Sequence, residues 1–240
     1  MASYFIDTEF LEGTQKRRIL GIELPEYFDT KHTIDLISIG IVSEDNREYY
    51  AISKDFNLEE AWNRYDLERQ NHPYSVKEYW IRENVLKPIW VEYVNRDGEE
   101  DNPVESFSYN SLKKIINKYG KTNKQIAEEI KKFVYNPTSI KPLGTEESIE
   151  FYGYYSDYDW VVFAWLFGKM IDLPKRFPMY CRDLKQTLDK VLYDRYPYML
   201  YNERINHIKN SPLYPKQNNE HNALADARWN YEFYKFLKQL

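Results

Sequence analysis

The chain has 240 residues, a net charge of −5, and 42% hydrophobic against 30% charged residues, the balance of a folded domain rather than a disordered or collagen-like chain. The acidic excess excludes a protein that coats a duplex through many lysine and arginine contacts to phosphate, so any nucleic-acid site has to be local. One cysteine, Cys181, excludes an internal disulfide and suggests no zinc site, and the opening MASYFIDTEF has neither the basic head nor the apolar run of a secretory leader; the expectation is a cytoplasmic protein without a membrane span.

The run Tyr4 to Asp7 and the β-branched run Ile34 to Val42 (IDLISIGIV) read as buried strands. Glu48 to Ser53 (EYYAIS) follows the turn-forming Glu44-Asp45-Asn46-Arg47, so the second and third strands are expected to form an antiparallel hairpin and the opening a three-stranded meander. Between the first two strands, Leu11 to His32 carries Gly13, Gly21, Pro25 and the basic Lys16, Arg17 and Arg18, which suits an extended substrate-side arm on the surface. From Asn57 the pattern turns helical through Leu58, Trp62 and Tyr65, and a second helix is expected from a Ser75 cap to about Leu86, with Pro88 as its stop. Glu92 to Tyr109 is acidic and irregular. Leu112, Ile115, Ile116 and Tyr119 define the next helix, and Ile126, Ile130 and Phe133 one that begins at Thr122. Lys113, Lys114, Lys118, Lys121 and Lys124 lie on their outer faces and could border a phosphate path, although charges on a helix face are ordinarily just solvated.

A strand over Ile149 to Tyr155 leads into a helix from about Tyr158 to Met170, with Val161, Val162, Trp165 and Leu166 expected inside. A short strand near Pro178 to Cys181 and a helix from Arg182 to Leu192 repeat the unit. Pro197 to Glu220 has weak periodicity and reads as a mobile loop, and Ala223 to Leu237 closes the chain as a helix burying Ala227, Tyr231, Phe233 or Tyr234, and Leu237. The order predicts an α/β fold: an RNase H-like mixed five-stranded sheet, an antiparallel meander followed by parallel strand-helix units, with helices on both faces.

Three acidic clusters fall where strands end or helices begin, the positions from which side chains converge at one sheet edge. Asp7 and Glu9 are two apart on a strand, so both carboxylates point to one face, and paired carboxylates suit a hard divalent cation such as Mg²⁺ or Mn²⁺. Asp157 is the natural cap of the helix that follows Tyr155, which leaves Asp159 in its first turn, where an acid is also favoured by the helix dipole. His221-Asn222-Ala223-Leu224-Ala225-Asp226 places an imidazole just before a helix that carries an aspartate, and His221 is the best candidate base in the chain.

In that order, Asp7-x-Glu9, Asp159 and His221-x-Ala223-x-x-Asp226 resemble the DEDDh 3′-to-5′ exonucleases over almost the whole chain. Within that superfamily FIDTEF, the IDLISIGIVSEDNREYYAIS hairpin, YWIRENVLKPIW and Tyr158-Asp159 are most similar to the small bacterial exoribonucleases of the RNase AS type, a polyadenylate-preferring family. The resemblance implies a single domain over 1–240 with insertions near 11–32 and 92–121, and two divalent cations held by Asp7, Glu9, Asp159 and Asp226. His221 would accept the proton of the attacking water. It implies release of nucleoside 5′-monophosphates from single-stranded RNA or RNA with a 3′ overhang, and, as in many related enzymes, a homodimer. Thr8, Phe10 and Tyr155 are the substrate-side candidates; Phe10 could stack on the terminal base or simply pack in the core. Tyr155 stands where many superfamily members have asparagine, which unsettles substrate contacts rather than metal binding. No named residue reads the 2′-hydroxyl, so a DNA exonuclease stays open, as do an RNase H-type endonuclease and a non-catalytic nucleic-acid-binding module.

Overall fold

The computed structural model describes residues 2–68, 76–97, 106–135 and 148–240. In chain order the first half holds β1 (Ala2–Gly13), β2 (Arg18–Ile19), β3 (Ile22–Glu23), β4 (Thr33–Ser43), β5 (Glu48–Ile52), α1 (Leu58–Asn63), β6 (Asp66–Glu68), β7 (Val76–Glu78), α2 (Lys87–Asp97) and α3 (Tyr109–Tyr119). The second half holds α4 (Asn123–Tyr135), β8 (Ile149–Gly153), α5 (Asp157–Trp165), β9 (Arg182–Asp183), α6 (Leu184–Arg195), α7 (Tyr201–Lys209) and α8 (Ala223–Leu237).

The main sheet runs β5-β4-β1-β8-β9 and is mixed, consistent with the RNase H-like architecture. β4 and β5 close a hairpin in which the Ser43 N–H donates to Arg47 O and the Ser53 N–H to Ile37 O. The Glu44 N–H donates to Ser3 O, seating that hairpin beside β1, while β8 pairs parallel with β1 and β9 parallel with β8. The meander and the parallel strand-helix units therefore stand as the sequence predicts. Period-two alternation gives the sheet two buried faces. Tyr4 packs with Phe133 of α4 and with Phe151, which meets Trp160 and Phe163 of α5. Phe5 faces the other way, onto Tyr152 and onto Tyr231 and Tyr234 of α8, beside a cluster that includes Leu184, Leu188, Leu192 and Phe233.

Two compact units are traced. One comprises Met1–Thr8, Ser38–Ala51 and Lys124–Leu240 and holds this aromatic core; the other comprises Glu9–Ile37 and Ile52–Asn123. Within the second, the Leu11 to His32 arm is more than an extended surface connection: it carries the end of β1, the β2–β3 hairpin and a 3-10 turn over Glu26–Phe28. Arg18 is not free to meet phosphate, because its side chain is buried and donates to Glu60 (2.6 Å) and Glu23 (2.9 Å).

Several elements differ from the sequence reading. Pro88 does not end a helix but lies inside α2, preceded by a π-type turn over Arg82–Leu86; proline lacks the N–H for an i−4 bond, and the wider turn absorbs its ring. Glu92 to Asp97 is consequently helical; the Ser75 cap and positions 98–105 of the 92–121 insertion lie outside the described residues. α5 buries Trp160, Val162, Phe163 and Ala164, while Val161 and Trp165 are exposed, because Trp160 and Phe163 stack on each other against Phe151. Ser156, not Asp157, is the N-cap position of α5, and Asp157 is exposed in the first turn. The last strand sits at Arg182–Asp183 rather than Pro178–Cys181. The stretch from Pro197 to Glu220 is not merely a loop: α7 forms within it, with Ile208 buried against the α6–α8 core.

Candidate metal and catalytic site

β1 and the N-terminal end of α8 supply the site. Asp7 and Glu9 occupy alternate positions of β1, on the face Phe5 presents to α8. That helix begins where the Asn222 side chain accepts from the Ala225 N–H (3.1 Å), a side-chain cap that fixes its first turn. Asp226 lies one turn in, and one carboxylate oxygen from each of Asp7, Glu9 and Asp226 falls within 4.8 Å of the others. Three carboxylates that close repel unless a cation offsets them, and an all-oxygen donor set suits a hard divalent ion. The trio could therefore hold a metal ion.

Two features place α8 against the sheet at β1 and β4. Asn230, one turn beyond Asp226, donates its amide to Ile6 O (2.9 Å), adjacent to Asp7. Gly40 of β4 faces the start of the helix, where a Cβ would collide with the Ala223 carbonyl, so the helix approaches the strand more closely than any side chain allows. The Asp226 carboxylate is itself oriented: Gln217 Nε2 donates to Oδ1 (2.7 Å) and the His221 N–H to Oδ2 (2.9 Å). Burial raises its pKa, and the bonds from Gln217 and His221 oppose that shift without cancelling it. His221 has φ 65°, a left-handed conformation that turns the backbone N–H onto Asp226.

Asp159 stands outside the trio, for a reason the alternation supplies. Thr8 points opposite to its neighbours Asp7 and Glu9, and α5 packs on the Tyr4–Phe151 face, so Asp159 meets Thr8. Asp159 Oδ1 accepts from the Thr8 N–H (2.9 Å) and hydroxyl (2.6 Å). Burial raises the Asp159 pKa to about 6; the Thr8 bonds pull it down, and the charge of Asp183 adds to the rise. Thr8 is buried with both donors on Asp159, Phe10 is partly buried, and Tyr155 is exposed at φ 56° in the turn between β8 and α5. That turn is anchored by the Ser156 N–H donating to Asp183 Oδ2 (2.9 Å), while Asp183 Oδ1 caps α6 through the Gln186 N–H (2.9 Å).

Gln217, Asn230, Gly40 and Asp183 were not singled out in the sequence. Asn230 alone had a usable signal, a polar residue four positions after Asp226 and so on the same helix face. Gln217 had none, because its reach to Asp226 depends on how the chain after α7 returns.

Among the described residues no helix is long and apolar enough to cross a membrane. No family model matches the chain. The chain is similar to two proteins of Mycobacterium tuberculosis, from strains CDC 1551 / Oshkosh and H37Rv, each named a 3′-5′ exoribonuclease; each is 27% identical over 225 residues, 94% of this chain and 86% of the relative.

Proposed function

We propose that this protein is a metal-dependent 3′-to-5′ exoribonuclease of the DEDDh type, most similar to the RNase AS family, with its catalytic domain spanning the chain. The observation that carries the reading is the grouping of Asp7, Glu9 and Asp226, with the Asp226 carboxylate aimed by Gln217 and by the backbone of His221. Similarity to proteins named 3′-5′ exoribonucleases over 94% of the chain supports the reaction class and RNA as substrate.

Asp7, Glu9 and Asp226 would hold one cation, and Asp159, oriented by Thr8, would contribute to holding a second. When bound, such a pair of ions supplies water of lowered pKa and stabilises negative charge on the attacking and leaving oxygens of an in-line displacement. The residues of the chain orient, exclude and move protons. His221 accepts the proton of the water as its oxygen attacks the last phosphorus; the bond from that phosphorus to the 3′ oxygen of the preceding nucleotide breaks, that oxygen takes a proton from solvent to become the new 3′-hydroxyl, and a nucleoside 5′-monophosphate leaves. Asp226 binds the His221 backbone, so the base and a metal ligand are held by one bond.

The test is a time course on matched RNA and DNA, 5′-labelled when linear and internally labelled when circular, with Mg²⁺ or Mn²⁺. A one-nucleotide ladder on linear RNA is expected, with no cutting of circles. Chelation or Asp7→Asn should abolish it, and His221→Ala should slow it by about 10²- to 10⁴-fold, the usual contribution of a general base. Undiminished trimming in the chelator or in either variant defeats the proposal, a ladder on DNA alone moves the substrate to DNA, and cut circles point to an endonuclease.

A further inference from the structure

A second recess borders the turn that delivers Asp159. It has a free volume of about 160 Å³ and lies between the β8–α5 turn, α6 and α7. Leu188 and Ile208, both buried, form its apolar floor, and Tyr155 and Tyr201 line it as exposed rings. Lys185 Nζ lies 5.7 Å from the centre of the Tyr155 ring and 5.3 Å from that of Tyr201, so the two rings border one ammonium group. Lys185 also bonds to the Asp189 carboxylate and donates to Tyr201 Oη (2.7 Å), and Tyr201 Oη donates onward to Asp189 (3.1 Å). With its charge matched by Asp189, Lys185 acts as a fixed support for the rings. Exposed Asn202 and Lys209 stand at the edge.

Two observations connect this recess to the carboxylates. Tyr155 lies in the turn that leads into α5, four residues before Asp159, and its φ of 56° is rare for an aromatic side chain. Its ring stays outside, 65% exposed. Tyr154, from the same turn, packs edge-on against Trp229 and Phe233 of α8, the helix that carries Asp226. An apolar floor, exposed flat rings, an amide and one ammonium at the rim match a nucleobase with its phosphate more closely than they match a peptide side chain or a free anion.

We propose that this recess is a nucleobase subsite for the RNA strand upstream of the cleaved terminal nucleotide. The base stacks on Tyr155 with Tyr201 at its other side, Asn202 bonds to its edge and Lys209 faces a phosphate. This rests on the exoribonuclease reading above and adds to it a point of grip beyond the terminal residue.

The test uses full-length protein in chelator, so that binding is read without turnover, and oligoribonucleotides carrying 2-aminopurine at the terminal or an upstream position. Wild type should quench an upstream probe. Tyr155→Ala and Tyr201→Ala should relieve that quenching and weaken binding by about 5- to 150-fold, the range spanned by stacking of one base, while Tyr155→Phe retains both. With metal, the alanine variants should raise KM on oligonucleotides far more than they lower kcat. Unchanged affinity and quenching in both alanine variants, with normal circular dichroism, overturns the subsite; if Asp7→Asn still abolishes trimming, the exonuclease reading survives that result. Trimming that persists in Asp7→Asn overturns the parent reading and, with it, the assignment of the recess to that strand.

Discussion

Asp226 accepts from Gln217 and from the His221 N–H, so both of its oxygens are aimed by the chain itself. A buried carboxylate with two donors keeps one geometry, whereas one with a single donor can rotate about its last bond. Gln217 is thus a positioning residue, and partners of this kind usually contribute 10–100-fold to metal affinity. We expect Gln217→Ala to weaken Mn²⁺ binding by about that factor, measured by titration calorimetry, with Gln217→Glu failing to restore it because a carboxylate cannot donate. Equal affinity in wild type and Gln217→Ala would remove Gln217 from this role. Thr8 does the corresponding work for Asp159, its buried hydroxyl and its N–H both donating to one carboxylate oxygen.

Whole elements are set by close approach and by one charged contact. α8 reaches the sheet because position 40 has no side chain, and Gly40→Ala would force the Ala223 carbonyl away. We expect that substitution to cost at least about 1–3 kcal/mol in denaturant unfolding, the usual range for overpacking, and to lower activity further by displacing Asp226. A fully active, equally stable variant would contradict the packing argument. α8 also meets the hairpin through Arg228, which binds Glu48 of β5 through two bonds of 2.6 and 2.7 Å. The hydrogen bonds from Arg228 hold the Glu48 pKa below its ordinary value; burial opposes that shift and the charge of Arg228 adds to it. A carboxylate whose pKa is depressed on folding contributes stability above its unfolded pKa and loses it as pH falls through the folded one. The pair is exposed, so its contribution is about 0.2–1 kcal/mol. Melting curves should therefore separate wild type from Arg228→Met slightly near neutral pH, with the gap closing below the ordinary carboxylate range. A gap that widens in acid would reverse the assignment.

At the scale of the molecule, the grouped carboxylates predict a linkage between cation and stability. Repulsion among Asp7, Glu9 and Asp226 opposes folding, and an ion that binds only the folded chain stabilises it by mass action, about 2.7 kcal/mol at a hundred times its Kd. For a chain of this size that corresponds to a rise of roughly 5–10 °C in Tm. We expect Mg²⁺ or Mn²⁺ to raise Tm in wild type, chelator to reverse it, and Asp226→Asn to begin at a higher metal-free Tm but respond less. A Tm that ignores both ions would remove the cation from the account.

Much of this protein was legible from local chemistry. The runs of β-branched residues, the turn at Glu44–Arg47 and the 3.6-residue spacing of Leu112, Ile115 and Ile116 each act over a few neighbours, and the meander and the helices they predict are present. The acids were legible because period-two geometry alone puts Asp7 and Glu9 on one face. Local rules failed where a distant partner chose: Trp160 and Phe163 took the inside of α5 because Phe151 was there to receive them, and Ile208 made a helix of an apparent loop by reaching the α6–α8 core. The sequence by itself determined which side chains can bind a cation and which strand presents two of them. Only the tertiary structure decided that α8 brings Asp226 to Asp7 and Glu9 while α5 brings Asp159 to Thr8, because opposite faces of one strand are covered by helices from different parts of the chain.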